Sequence, residues 1–243
     1  MVEYSFASRH SLLPDLEPVL AAASTLGFGL VEISEDLSAV DAQTLESCRR
    51  QLVLSRKRIA LLDSPVPVAD HDAYRYVLRH AALLGIDRVK VPTCGLSSPE
   101  PLREVCRMGR AYGIRILLEN EGEGPLSTEP GLSELLRSLG PESAGWILDP
   151  LGLVRQRLHP FFQVFYHSRL KNDIALLRIR DGRFEDGAAT LPGQGDGEVK
   201  ELVSILLARS FRGPFSFAPE GPGLDPEDCR ESLHAFQDML LAL

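Results

Sequence analysis

Short apolar runs alternate with amphipathic stretches along the whole chain, and this alternation limits the fold more than any other feature. Runs at Val2–Ser5, Gly29–Ile33, Arg58–Leu62, Arg88–Val91, Ile114–Glu119, Gly145–Leu148, Ile174–Ile179 and Pro214–Ala218 read as eight strands. Between them lie stretches of helical period. These are Leu16–Leu26, a segment capped by Asp41 and reaching Arg56, and one carrying Ala73, Tyr74, Val77, Leu78, Ala81 and Leu84 on one face. Then come a segment opened by Ser98-Pro99-Glu100, Leu132–Leu139, Pro160–Leu170, Glu198–Ala208, and one opened by Asp225-Pro226-Glu227. Strand starts recur every ~26–31 residues, apart from a last interval of about 40. Such alternation implies a parallel sheet. Eight units in 243 residues predict a single-domain (β/α)8 TIM barrel spanning residues 1–243. An open doubly wound sheet is the structural alternative. No G-x-G-x-x-G follows the first strand and no G-x-x-x-x-G-K-[ST] is present, so dinucleotide and P-loop sites lose support.

The charge balance narrows the partners. Acids outnumber bases 34 to 26, for a net charge of −8. Affinity for nucleic acid comes largely from neutralising phosphates, so nucleic acid is not an expected partner. The four cysteines, Cys48, Cys94, Cys106 and Cys229, form no C-x-x-C pair and are too sparse for a disulfide scaffold. Free thiols in a cytoplasmic protein are the natural reading. No secretory leader is expected, because the N-terminus has no basic region followed by an apolar one, and no membrane span, because no stretch reaches ~18 uninterrupted apolar residues. The oligomeric state stays open, with a homodimer among the options.

In a barrel the chemistry lies at the C-terminal ends of the strands. The polar residues expected there are Glu32 after the second strand, Asp63 and Ser64 after the third, and Lys90 within the fourth. Glu119, Asn120 and Glu121 follow the fifth, Asp149 the sixth, and Arg178, Arg180 and Asp181 the seventh, while Glu220 lies just past the eighth. A carboxylate set directly behind an apolar run is costly unless it is paired, metal-bound or solvated. Glu119 after Ile-Leu-Leu and Asp149 after Trp-Ile-Leu fit that description best. The longest irregular stretch, Arg180–Gly197, reads as an active-site loop. Its Gly193-Gln194-Gly195-Asp196 run is either a backbone nest for an anion or a plain connector.

The segments GIRILLEN, GWILDP, LLRIRDGR, LPGQGDGEVKELV and FRGPFSFAPEG together resemble the xylose isomerase-like TIM barrels, a superfamily of sugar isomerases and epimerases with endonuclease IV as a DNA-repair branch. The second half carries most of the likeness. The resemblance implies one divalent metal held by Glu, Asp, His and Glu on strands five to eight, with a carboxylate moving a proton. Here Glu119 and Asp149 match the first two ligands. Arg178 stands where the histidine is usual, and Ala218 where the last glutamate is usual. Gly152 replaces the histidine or asparagine that often follows the strand-six aspartate by three.

Arginine cannot be deprotonated to bind a cation, but its planar fork suits carboxylates. The expectation is that Arg178 takes the metal's place and neutralises both Glu119 and Asp149, with Lys90 close by. The alternatives are an Arg178 turned to solvent and a strand-eight register that makes Glu220 a ligand. On this reading Glu119, Asp149 and Arg178 are catalytic, with Glu119 as base. Glu32, Lys90, Arg180, Asp181 and Glu220 bind substrate, and no metal ligand set is complete. No cofactor is expected, beyond a weakly bound Mn or Mg. The implied partner is a small sugar, polyol or keto acid, and the activity isomerisation or epimerisation. A non-catalytic pseudoenzyme that binds a sugar-like ligand or a partner protein is the alternative. The histidines on or beside helices, His71, His80, His159, His167 and His234, read as packing or surface residues. The endonuclease IV branch needs a histidine-rich metal cluster that this chain does not offer.

Overall fold

The computed structural model describes residues 3–7, 16–93, 98–120, 129–166, 170–218 and 226–242. Eight of its strands are parallel and correspond to the predicted runs. They are β1 (Tyr4–Ala7), β2 (Leu30–Ser34), β3 (Arg58–Asp63), β4 (Arg88–Lys90), β5 (Arg115–Glu119), β6 (Ala144–Leu148), β7 (Ile174–Arg178) and β10 (Phe215–Phe217). They hydrogen-bond in the closed order β1-β10-β7-β6-β5-β4-β3-β2, which is the (β/α)8 barrel. Two further two-residue strands, β8 (Asp181–Gly182) and β9 (Ala189–Thr190), pair antiparallel in the connection after β7.

The helices are α1 (Glu17–Thr25), α2 (Ala42–Ser55), α3 (His71–Leu83), α4 (Glu100–Ala111), α5 (Glu129–Leu139), α6 (Pro150–Arg155), α7 (Pro160–Phe165), α8 (Val199–Ala208) and α9 (Pro226–Leu241). Asp41 caps α2 as the sequence predicts, its side chain accepting from Thr44 N at 2.8 Å. Gly85 and Gly113, predicted as stops, follow α3 and α4 with φ of +73° and +71°. The predicted helix Pro160–Leu170 is instead a short α7, and α6 stands ahead of it, unpredicted. Its start signal is Asp149-Pro150, an aspartate followed by proline at the first helical position.

The chain forms two compact units. One is built around Ser5–Leu118 and Glu134–Gly145. There β2 and β3 bury Val31, Ile33, Ile59, Leu61 and Leu62, and α3 buries Tyr74, Val77, Leu78 and Ala81. The other is built around Glu119–Ser133 and Trp146–Leu243, with Met1–Tyr4. Its core includes an aromatic cluster, with Phe236 of α9 5.8 Å from Phe215 and 5.4 Å from Phe217, centroid to centroid. Burying each such side chain contributes about 1.5–3 kcal/mol. These layers fix the strands, and the strands fix the polar residues at their ends.

Candidate active site

Four charged side chains meet where β5, β6 and β7 end. Glu119 is the last residue of β5, Asp149 follows β6, Arg178 is the last residue of β7, and Arg180 lies two residues on. Their placement follows from the apolar runs. The strand interiors are buried on both faces, so the first polar residue of each falls at the strand terminus. Glu119, Asp149 and Arg178 are 4%, 3% and 5% exposed.

Arg178 grips Glu119 with both arms of its fork. Nε donates to Oε1 at 2.8 Å and Nη2 to Oε2 at 3.4 Å, while Nη1 donates to Ser216 Oγ at 2.6 Å. Ser216 is the register partner of Arg178 across the β7–β10 ladder, which brings the hydroxyl alongside. Asp149 is paired by Arg180 instead, Nη1 to Oδ2 at 3.2 Å. The sequence assigns both acids to Arg178; the structure divides them between two arginines. Asp149 Oδ1 is buried without a hydrogen-bond partner. Burial pushes the Asp149 carboxyl above its usual range, and so does the nearby Glu119 charge; Arg180 and Arg178 pull it back.

Asn120 locks the two strand ends together, a role the sequence reading missed. Its Nδ2 donates to the Asp149 carbonyl at 2.8 Å, and its Oδ1 accepts from Asp149 N at 2.8 Å. Trp146 Nε1 also donates to Oδ1, at 3.2 Å. Gly152 makes room for this clamp, because a Cβ there would lie 2.8 Å from the Asn120 carbonyl oxygen and 2.9 Å from its Nδ2. The available signal was an amide directly behind a strand-end acid, with a tryptophan three residues before the next one.

Asp181, expected to touch substrate, holds the following loop instead. It is 1% exposed. Its Oδ1 accepts from Gly182 N and Gly197 N at 2.8 and 2.7 Å, and its Oδ2 from Gly193 N and Gly195 N at 2.9 and 3.1 Å. The glycine run does bind an anion through its backbone, and that anion is the protein's own carboxylate. Burial raises the Asp181 carboxyl, and the four N–H groups oppose the rise.

Two further expected residues belong to the other unit. In the unit built around Ser5–Leu118, Glu32 accepts from Ser5 Oγ at 2.5 Å, and Lys90 Nζ pairs with Asp63 Oδ2 at 3.1 Å. Glu220 falls outside the described residues, as do Glu121, Cys94 and His10. His80 Nδ1 meets Leu37 O at 2.7 Å, and His71 Nε2 meets Pro101 O at 3.2 Å, which is the packing role expected of them.

The resemblance implies a divalent metal, and the described residues do not fit one. The two matching carboxylates are each held by a guanidinium, and a cation would have to enter beside both positive charges. Among the described residues no three His, Cys, Asp or Glu side chains are grouped to hold a metal ion.

A closed (β/α)8 barrel with an acid–guanidinium cluster at its strand ends is therefore the class that fold and site define. No protein-family model matches the sequence, and no curated protein matches it. Solved structures do. A xylose isomerase domain protein from Planctomyces limnophilus superposes with a TM-score of 0.75 at 11% identity, over 98% of this chain and 96% of that one. The probable 3-DHS dehydratase AsbF of Bacillus anthracis gives 0.76 at 15%, over 97% and 99%. D-Psicose 3-epimerase of Clostridium cellulolyticum H10 gives 0.73 at 12%, over 99% of both chains. At these identities the likeness establishes the fold, and this chain has the xylose isomerase-like TIM-barrel fold. No helix among the described residues is long and apolar enough to cross a membrane.

Proposed function

We propose that this chain acts on a small sugar, polyol or keto acid by proton transfer at a carbon next to a carbonyl, with guanidinium groups standing where related barrels are expected to place a metal. The observation that carries the reading is the pair of buried acid–arginine contacts at the strand ends, one of which leaves Asp149 Oδ1 open. Glu119 is the base expected from the sequence, but both its oxygens are engaged by Arg178. Asp149 is the better proton carrier. Its raised pKa brings it toward the range where a carboxyl can both take and return a proton. In the step proposed, Asp149 takes the proton from carbon, and the electron pair moves onto the carbonyl oxygen. Arg178 and Arg180 stabilise the resulting enediolate charge. The proton then returns to carbon. Neighbours with the same fold include sugar isomerases or epimerases and a dehydratase, and this supports the substrate class without fixing the reaction.

The ion-paired state of Glu119 favours a second reading, a pseudoenzyme that binds the same ligands without turnover. The test is proton exchange from carbon into D2O, followed by NMR over a panel of ketoses and keto acids with chelator-treated protein. Exchange that disappears in Asp149→Asn supports the enzyme. Saturable binding with no exchange supports the pseudoenzyme and overturns the catalytic reading.

A further inference from the structure

We propose that Lys90, at the end of β4, condenses with the carbonyl of a keto acid or ketose to form an imine, with Asp63 at the end of β3 as its proton carrier. This goes beyond the proton transfer assigned to Asp149 and rests on that reading only for the class of substrate. Both residues lie in the unit built around Ser5–Leu118. They are register partners on neighbouring strands, at the C-terminal ends where a barrel carries its chemistry. Lys90 Nζ donates to Asp63 Oδ2 at 3.1 Å. The Lys90 side chain is 9% exposed and that of Asp63 40%, so the pair is buried at the lysine and open to solvent at the carboxylate. The carboxylate end gives a small carbonyl compound its way in.

The choice of lysine is what points to this chemistry. Of the 26 basic residues only four are lysine. Ion pairs elsewhere use arginine, on the surface at Arg49, Arg75, Arg103 and Arg107 and buried at Arg178 and Arg180. Lys57 and Lys171 donate to backbone carbonyls, those of Phe28 and Phe165, at 2.5 and 3.2 Å, and Lys200 lies on α8. An ion pair needs only a cation, and a guanidinium offers a carboxylate the better fork. A guanidinium, however, keeps its proton and adds to no carbonyl. An ammonium can pass its proton to a neighbouring carboxylate, and the amine left behind is a nucleophile. Burying an ammonium for the sake of the scaffold alone is costly, since an apolar side chain of similar volume often serves as well. In the step proposed, the Lys90 ammonium gives a proton to Asp63, and its nitrogen bonds to the carbonyl carbon. A second proton passes from that nitrogen to the carbonyl oxygen. Asp63 then protonates the new hydroxyl, the C–O bond breaks and water leaves. The product is a protonated imine, and Asp63 is a carboxylate again, with nothing oxidised or reduced.

The test is reductive trapping on the full chain. Pyruvate and, separately, dihydroxyacetone are added with sodium cyanoborohydride, which delivers a hydride to the C=N bond and leaves a stable secondary amine. Peptide mass spectrometry then locates the adduct. It is expected on Lys90, should saturate with probe concentration, and should be absent in Lys90→Arg. Asp63→Asn should slow its formation on the order of a hundredfold, and Lys200→Arg should leave it unchanged. An Asp63→Asn rate equal to that of wild type would overturn the role given to Asp63. The whole proposal is overturned if neither probe labels Lys90 in folded wild type, or if labelling spreads equally over the four lysines. The adduct is mapped on wild type, so the outcome does not depend on a variant folding. Trapping reads the condensation at Lys90, whereas proton exchange into D2O reads Asp149, so either reading can fail without the other.

Discussion

Two buried carboxylate sites are neutralised in opposite ways. Asp181 is satisfied entirely by backbone, with four N–H donors from Gly182, Gly193, Gly195 and Gly197. Glu119 and Asp149 are met by side-chain cations. Backbone donors cannot leave, so the Asp181 loop is scaffold, and its glycines are there for closeness of approach. Side-chain cations can swing away or be shared with a ligand, and Asp149 keeps one oxygen in reserve. What separates a site from an anchor here is the mobility of the partner, since both kinds of acid are buried.

The sharpest way to break the comparison is to remove one cation. Arg178→Met should destabilise the fold by about 3–5 kcal/mol, because Glu119 then remains charged and buried. Adding Glu119→Leu to that variant should restore most of the loss, since an apolar pair of similar volume is often neutral. Urea denaturation of the two single variants and the double variant measures the coupling.

The anchor should respond less. Asp181→Asn keeps one acceptor but turns an amide N–H toward donors, and about 2–4 kcal/mol of stability should go. Gly195→Ala should act in the same direction, because its Cβ would meet the Gly182 carbonyl at 2.4 Å and Asp181 Oδ1 at 2.5 Å. Thermal unfolding of both variants reads this. Unlike the Arg178 case, no second substitution at a side chain should rescue them.

Reconstructing the ligand set sharpens the comparison from the other side. Arg178→His with Ala218→Glu should raise affinity for Mn2+ about tenfold or more over wild type and over either single change. Calorimetric Mn2+ titration checks it. A folded double variant with no gain would show that these two positions are not the ones a metal would use.

A smaller effect concerns pH. The Asp149 carboxyl is raised above its ordinary 3.8 in the folded state. The folded protein thus holds that proton more tightly than the unfolded chain. The resulting stability is complete below 3.8 and is lost as pH rises through the folded value. Asp149→Asn has no such proton, so the wild-type stability minus that of the variant should fall across this window. Denaturation at a series of pH values gives the difference curve. Asp181, raised in the same direction, is present in both proteins and cancels.

The smallest effect is chemical. Burial pushes the Cys106 thiol up to about 12 and the Cys48 thiol up to about 11. Neither should be alkylated by iodoacetamide in the native protein, and both should react after denaturation. Peptide mass spectrometry distinguishes the two states.

The barrel was legible because its code is local. Each strand is an apolar run and each helix a period, and the observed strands lie within two residues of the expected ones; β1 shows the largest shift, from Val2–Ser5 to Tyr4–Ala7. Helix α6 was hidden because Asp149 was read only as a strand-end acid, although it also opens a helix. The members of the acid–arginine cluster could be named from their strand ends, but their pairing could not. Arg178 and Arg180 have the same chemistry and differ only in where the backbone aims them. The role of Asp181 was beyond reach for a related reason: three of its four donors come from 12 to 16 residues away, on a loop whose path no spacing rule gives.

The fit between Asn120 and Gly152 closes position 152 to any side chain. A Cβ there would meet the Asn120 carbonyl oxygen at 2.8 Å and its Nδ2 at 2.9 Å. Changing Asn120 would relieve only the amide contact, since every residue at position 120 keeps its backbone carbonyl, and it would unlock Asp149 from β5. A larger residue at position 152 therefore requires the backbone behind β5 to shift. Laboratory evolution of this chain should keep glycine at 152 for as long as the clamp persists.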